Sequence, residues 1–245
     1  MRRRVWHDRI SGECWYVMFE KAAAIQAEEG QEVDVRGPGD PSTSEGGLET
    51  TKRRGKGKSR ASKPRPIPVR VDSFAPGSAL LNALMSEVLT AVNGSTALRH
   101  KLYQVNLHTT LSGQAMVSMI YHRQLDDEWV AAARGLRESL GRLPGLEPGF
   151  MPHLIGRARK QRVDMDANHV LERLTVGGRQ LVTWQVEECF SQPNAEVCQH
   201  MLGWAVEATR GLGGSDLLEL YCGNGNFSFA LAENFRTVVA TEVRR

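Results

Sequence analysis

No stretch of this sequence is apolar for the roughly 18 residues that a membrane-spanning helix needs. The N-terminal "MRRRVWHDRISGECWYVMF" is basic but lacks a continuous apolar core, so it does not read as a secretory signal. The four cysteines, Cys14, Cys189, Cys198 and Cys222, form no C-x-x-C pair. That argues against a zinc site and leaves reduced thiols as the expectation. No internal repeat is visible. What remains is ordinary globular composition, 41% hydrophobic and 24% charged over 245 residues, enough for one or two domains.

The net charge of +3 conceals a segregation. Residues 28–50 hold seven acids and one arginine, whereas residues 52–65 hold eight Lys or Arg and no acid. Residues 22–68 as a whole are rich in Gly, Pro, Ser and charge and poor in large apolar side chains. They read as a disordered low-complexity insert. Its basic half, "KRRGKGKSR", suits a solvated insertion, a nucleic-acid arm or a localisation signal.

Around that insert the pattern is mixed. "RRVW" and "CWYVMF" read as two short strands about Ser11-Gly12. Structure is expected to resume at Val69. An amphipathic helix then follows, N-capped by Ser78 and stopped by Gly94 at C′, with Leu81, Leu84, Met85, Val88 and Val92 as its core stripe. "KLYQVNLHTTLSGQAMVSMIYH" predicts two strands about Ser112-Gly113, and a helix runs from Asp126 or Asp127 to about Leu140. "FMPHLIGRARKQRVDM" reads as one strand carrying Arg157, Arg159, Lys160 and Arg162. A hairpin turns at Gly177-Gly178. Asn194 then caps a second amphipathic helix, expected to face Val197, Met201, Ala205 and Ala208 inward. The fold class is therefore α/β overall, an α+β module followed by the start of a parallel α/β sheet.

The end of the sequence carries the chemistry. "DLLELY" is a strand, "CGNGN" a glycine turn, "FSFALAENF" a helix and "TVVATE" a second strand. Together they make a β–α–β unit with glycines at the turn where such sheets bind ligands. Gly223 and Gly225 let the backbone approach a ligand closely. Glu242, at the end of the second strand, is placed to accept hydrogen bonds from both hydroxyls of a ribose. A dinucleotide site would have a third glycine where Ser228 stands, after bulky Phe227. S-adenosylmethionine has no pyrophosphate and needs that close approach less, and Glu219 upstream suits it. A dinucleotide and a plain tight turn stay open on the pattern alone.

Six stretches, "RRVWHD", "RVDSF", "LRHKLYQVNLHTTLSGQAMVSMIYHRQLDDEW", "HLIGRARK", "VEECFSQPNAEVCQHMLGWA" and "LLELYCGNGNFSFALAENF", occur in an order that resembles the tRNA (uracil-5-)-methyltransferases. The resemblance covers nearly everything outside 22–68. It implies S-adenosylmethionine as cofactor and methylation of uridine C5 in the T-arm of tRNA. In that family a Cys thiolate adds to C6, C5 takes the methyl group, and a base removes the C5 proton. The target base must leave its loop to be reached.

By resemblance, Gln192, Tyr221, Gly223, Gly225, Asn226 and Glu242 bind the cofactor. Tyr103 stacks on a base, Arg4 and His122 lie on the RNA surface, and Arg157 and Arg159 serve phosphates. The expected organisation is an RNA-binding module over 1–21 and 69–190, then 191–245 as the first β–α–β unit of a Rossmann-like methyltransferase domain. The family's Ser-Cys-Asn-Pro nucleophile stretch, its Asp-Pro-Pro-Arg stretch and its catalytic Glu have no match. The nucleophilic Cys and the base Glu are therefore expected beyond Arg245, in a longer enzyme of which this chain is a piece. No catalytic residue is assigned within the chain, and none of that role is given to Cys222. Further expectations are a monomer, no metal, no membrane partner, and a cytoplasmic setting, or a nuclear or organellar one in a eukaryote. A non-catalytic RNA-binding remnant and a nicotinamide-dependent oxidoreductase are the competing readings.

Overall fold

The computed structural model describes residues 1–8, 11–20 and 67–243. The chain divides into two bodies, residues 1–18 with 70–245, and residues 19–69. Apart from β3 (Ile67–Arg70), every element lies wholly or chiefly in the first. Residues 22–66 of the expected disordered insert fall outside the described residues. Its last two, Ile67 and Pro68, belong to β3, so regular structure starts before Val69, as β-branched Ile67 and Val69 favour. At the other end the description closes at Val243, so Arg244 and Arg245 also lie outside the described residues.

Six strands of the main sheet belong to the larger body and run in the order β2-β1-β4-β5-β6-β7. β1 (Arg2–His7) and β2 (Cys14–Glu20) are antiparallel, as are β4 (Leu102–Thr109) and β5 (Ala115–Tyr121). β5 and β6 (His153–Ala158) run parallel, joined through α3 (Asp127–Leu140). The connection follows the rule that parallel neighbours need a crossover. Asp126 caps α3 by accepting from the Trp129 N–H at 2.9 Å.

α1 (Ala79–Gly94) forms as the spacing predicts, with Ser78 accepting from the Leu81 N–H at 3.1 Å. Leu81, Leu84, Met85, Val88 and Val92 are all buried. Each such side chain is worth about 1.5–3 kcal/mol of burial. Gly94 is the last helical residue and not the left-handed stop expected. Ser95 follows it as both the C-cap of α1 and the N-cap of α2 (Thr96–Arg99), so the next helix begins at once. The central core combines this stripe with Val105, Leu107, Val117 and Met119 from the sheet and Trp129, Ala133 and Leu140 from α3.

The predicted single strand over 150–165 is a hairpin. β6 ends at Ala158, and β7 (Gln161–Asp164) returns antiparallel, with Ile155 opposite Asp164. The turn is made by Lys160 at φ +59, a left-handed residue that carries none of the Gly or Pro punctuation that marks turns. β4 has a further irregularity. Leu102 pairs with Tyr121 and Gln104 with Ile120, which leaves Tyr103 as the extra residue of a β-bulge.

A second hairpin, β8 (His169–Val176) with β9 (Arg179–Val186), turns at Gly177-Gly178 as expected. One cluster packs its Val170 on Met116 and Ile155 of the main sheet. Another packs Leu174 and Val176 on α4 (Ala195–Ala208) and on α5 (Asn226–Leu231). Asn194 caps α4 as predicted, accepting from the Val197 N–H at 3.0 Å. Its buried face is Cys198, Leu202 and Ala205, whereas Val197, Met201 and Ala208 are exposed. Of the expected stripe Ala205 is buried, while Cys198 and Leu202 take the places given to Val197 and Met201, because a buried cysteine packs as a small apolar residue. β10 (Asp216–Leu220), α5, a 3-10 turn (Ala232–Asn234) and β11 (Thr237–Thr241) complete the fold, with β10 and β11 parallel. Among the described residues no helix is long and apolar enough to cross a membrane.

Candidate functional site

The turn after β10 is built from left-handed backbone. Tyr221, Gly223 and Gly225 have φ of +58, +56 and +76. The glycines adopt this at no steric cost; Tyr221 does not, and such a residue marks a place where the chain is constrained. The Cys222 N–H donates to Thr241 O at 3.0 Å, and the Gly225 N–H to Cys222 O at 2.8 Å. Glu242, just past β11, accepts from the Gly223 N–H at 2.7 Å. Residues nineteen apart in the sequence therefore meet directly, the expected ribose acid holding the backbone of the glycine turn.

Asn226 is buried, its Nδ2 3.8 Å from Cys198 Sγ, while its Oδ1 and Asn224 Nδ2 are enclosed without a hydrogen-bond partner. Tyr221 is 77% exposed, which places it outside the core. Glu219 accepts from the Ser228 hydroxyl and ties β10 to α5.

Gln192 is half-buried in the segment between β9 and α4, away from the turn in sequence. Its neighbour Phe190 links the two regions, since a Cβ added at Gly223 would lie 3.6 Å from Phe190 Cδ1. Gln192 lines a cavity of about 710 Å³, whose polar wall includes Arg3, Asn106, His108, Gln185 and Glu187. None of these five was singled out from the sequence. A signal existed in β9, where Thr183, Gln185 and the following Glu187 are buried while Val182 and Trp184 are exposed. That is an alternation inverted from the usual one, with polar residues inside.

Arg3 Nε, His108 Nε2 and Gln185 Oε1 are enclosed without hydrogen-bond partners, although the Arg3 guanidinium lies 4.8 Å from the centroid of the Phe74 ring. Burial pushes the His108 imidazole down to about 4, with the N-terminal ammonium adding to the effect. Burial likewise raises the Glu172 carboxyl above its usual range.

A second group of predicted residues converges elsewhere. The Arg4 guanidinium lies 3.8 Å from the centroid of the Tyr103 ring. The His122 ring stacks on Tyr103 at 4.3 Å with 26° between the planes. Strand pairing of Arg4 with Gln104 and the bulge at Tyr103 bring the three together. Arg4 and His122 are exposed. Arg159 is exposed, but Arg157 is half-buried and holds Glu187 and Glu188.

The thiols differ in exposure: Cys14 and Cys198 are buried, Cys222 is half-buried and Cys189 is exposed. Burial pushes Cys14 up to about 11 and also raises Cys198. Cys14 Sγ lies 3.1 Å from His7 Nδ1, and His7 Nε2 is 2.6 Å from Leu102 O. This sealed pair has the connectivity of a nucleophile and base but no access for a substrate. The nucleophilic Cys and base Glu expected beyond Arg245 fall outside the described residues, which end at Val243. Among the described residues no group of three metal-ligating side chains occurs.

A family model described as tRNA (Uracil-5-)-methyltransferase matches residues 60–245. The tRNA/tmRNA (uracil-C(5))-methyltransferase of Sodalis glossinidius is 51% identical over 177 residues, 72% of this chain and 46% of that protein. The proteins of the same description from Chromohalobacter salexigens and Vibrio cholerae are each 52% identical, over 72% of this chain and 45% and 46% of their own lengths. A solved Pyrococcus abyssi tRNA (uracil-54, C5)-methyltransferase in complex with S-adenosyl-L-homocysteine superposes with a TM-score of 0.49 at 14% identity. That likeness covers 72% of this chain and 43% of the other. The chain spans about half the length of the curated relatives it matches. With more than half of its residues inside the family model, this chain belongs to the tRNA (uracil-5-)-methyltransferase family.

Proposed function

We propose that the chain supplies the RNA-docking surface and part of the cofactor grip of an S-adenosylmethionine-dependent enzyme that methylates C5 of a uridine in the tRNA T-arm. The observation that carries this reading is the family match across residues 60–245. The relatives' descriptions extend to tmRNA for those proteins.

The residues at the glycine turn suit the cofactor. Two enclosed amide atoms, Asn224 Nδ2 and Asn226 Oδ1, lack partners, as groups shaped around a polar ligand do when it is absent. S-adenosylmethionine, when bound, supplies the methyl group. Glu242 accepts from the ribose hydroxyls in place of, or beside, the Gly223 N–H. Gly223 and Gly225 allow the close approach, Tyr221 offers an exposed ring, and Asn226 and Gln192 orient the ligand's polar ends. Arg4, Tyr103 and His122 form a stacking platform for a splayed-out base, and Arg159 meets phosphate. Residues 1–21 and 69–190 act as the RNA-binding module, and 191–245 as the first part of a Rossmann-like methyltransferase domain. The burial of Cys14 and Cys198 and the upward shift of their thiols argue against either as the nucleophile, a role the reading leaves unassigned within the chain. A monomer working in the cytoplasm completes the reading.

Binding tests it. Calorimetry with S-adenosylhomocysteine should detect a complex that Glu242→Ala weakens by about 1.5–3 kcal/mol, the range for hydrogen bonds to a charged group. A T-arm hairpin should bind, and purified 1–245 should form no 5-methyluridine. RNA binding without S-adenosylhomocysteine binding would favour the non-catalytic remnant. NADH binding without S-adenosylhomocysteine would favour the oxidoreductase.

A further inference from the structure

Arg157 differs from the other basic residues of its hairpin. From β6 its Nη1 reaches both oxygens of Glu187, at 3.4 and 3.3 Å, and also pairs with Glu188. Arg162 adds a contact to Glu187 at 3.6 Å while its Nε holds Asp164 at 2.7 Å. The Glu187 side chain is only 4% exposed. A carboxylate so enclosed needs a cationic partner to be tolerated. Burial works against the charge of Arg157, yet the bonds and charges of Glu188 and Glu187 outweigh it and raise its pKa.

The two acids form the corner where β9 gives way to the segment bearing Gln192. Glu188 is left-handed at φ +65, a conformation that persists in a non-glycine residue only where its surroundings fix it. The corner is pinned on its backbone side as well, with the Glu187 N–H donating to Asn168 O at 2.9 Å and the Cys189 N–H to Val186 O at 3.1 Å. Glu187, Glu188, Phe190 and Gln192 all line the same cavity.

We infer that Arg157 is a positioning residue: it locks the Glu187–Glu188 corner to the main sheet and so sets Gln192 at the cavity, and its charge is not offered to RNA phosphate. The inference rests on the proposed role of Gln192 toward S-adenosylmethionine. Arg159, two residues on and exposed, has no ion pair among the described residues and remains the phosphate contact of the hairpin.

The test compares Arg157→Ala, Arg157→Lys and Arg159→Ala in the full chain. S-adenosylhomocysteine affinity is measured by calorimetry, T-arm affinity across a salt series, and amide exchange at 187–193 by mass spectrometry. Arg157→Ala should weaken S-adenosylhomocysteine about tenfold, the equivalent of one charge-assisted hydrogen bond. It should speed exchange at 187–193 and leave the salt slope of RNA binding unchanged. Arg159→Ala should do the reverse, lowering that slope by about one. Arg157→Lys should fall between, because a point charge replaces a planar fork. Glu187→Gln combined with Arg157→Lys should be non-additive, and this pair carries the test if Arg157→Ala does not fold. A reduced salt slope with unchanged S-adenosylhomocysteine affinity would overturn the inference. If the unaltered chain binds no S-adenosylhomocysteine, the cofactor reading fails, and unchanged exchange at 187–193 would separately refute the positioning role.

Discussion

Strands β5 and β10 are both apolar runs bordered by turns, yet they occupy opposite environments. Six of the seven residues of β5 are buried, between β4 and β6 and beneath α1 and α3. β10 has no fully buried residue, and Leu218 and Leu220 are each 61% exposed. Along the chain the two read alike, because a short apolar run does not reveal how many layers cover it. The difference separates a strand covered on both faces, β5, from one left largely open. The β10–β11 pair is largely exposed and joins the body through α5, whose Ala230 packs with Leu174, Val176, Cys198 and Leu202.

The sharpest way to break that division is to damage the covered side. Gly156, on β6, faces the Trp129 ring, and a Cβ there would lie 2.3 Å from Cη2 and 2.6 Å from Leu125 Cδ1. Truncating the indole by Trp129→Ala should cost about 3–5 kcal/mol in urea denaturation, and Gly156→Ala about 1–3 kcal/mol from overpacking. If either proved neutral, the sealed core would not be the seat of stability.

Acid sharpens the comparison next. The folded-state pKa of His108, about 4, lies below the ordinary 6.5 of the unfolded chain. The unfolded state therefore takes up a proton first. Stability should be full above pH 6.5 and fall by up to about 3 kcal/mol on acidification to pH 4, at 1.36 kcal/mol per unit. His108→Gln should flatten that stretch of a stability-versus-pH curve. Smallest of all, Leu218→Ser on β10 should change global stability by no more than about 0.5 kcal/mol, as surface substitutions do. A loss comparable to that of Trp129→Ala would erase the distinction.

The helices are legible in the sequence because their caps and stripes are local. Ser78, Asp126 and Asn194 all cap where side-chain chemistry says they should. The glycine turn and its β–α–β frame are legible for the same reason, whereas the bond from the Gly223 N–H to Glu242 is seen only in the structure. Three further things are not legible. The β6–β7 turn rests on a left-handed lysine, which has no compositional mark. The phase of α4 depends on treating Cys198 as core. The Arg157–Glu187 tie joins residues 30 apart, one on the main sheet and one just past the second hairpin, so neither charge indicates alone which partner it will take. The same blindness hid the cavity, whose walls come from β1, β2, β4, β5, β8, β9 and the segment before α4.

The bulge at Tyr103 carries one more consequence. Leu102 and Val105 are both buried although three positions apart, a parity that a regular two-residue alternation forbids. The extra residue corrects the count. Removing position 103 altogether would leave Leu102 and Val105 two apart, an ordinary strand with the same core contacts. The bulge thus lets β4 carry an aromatic ring at its surface without changing which side chains fill the interior behind it.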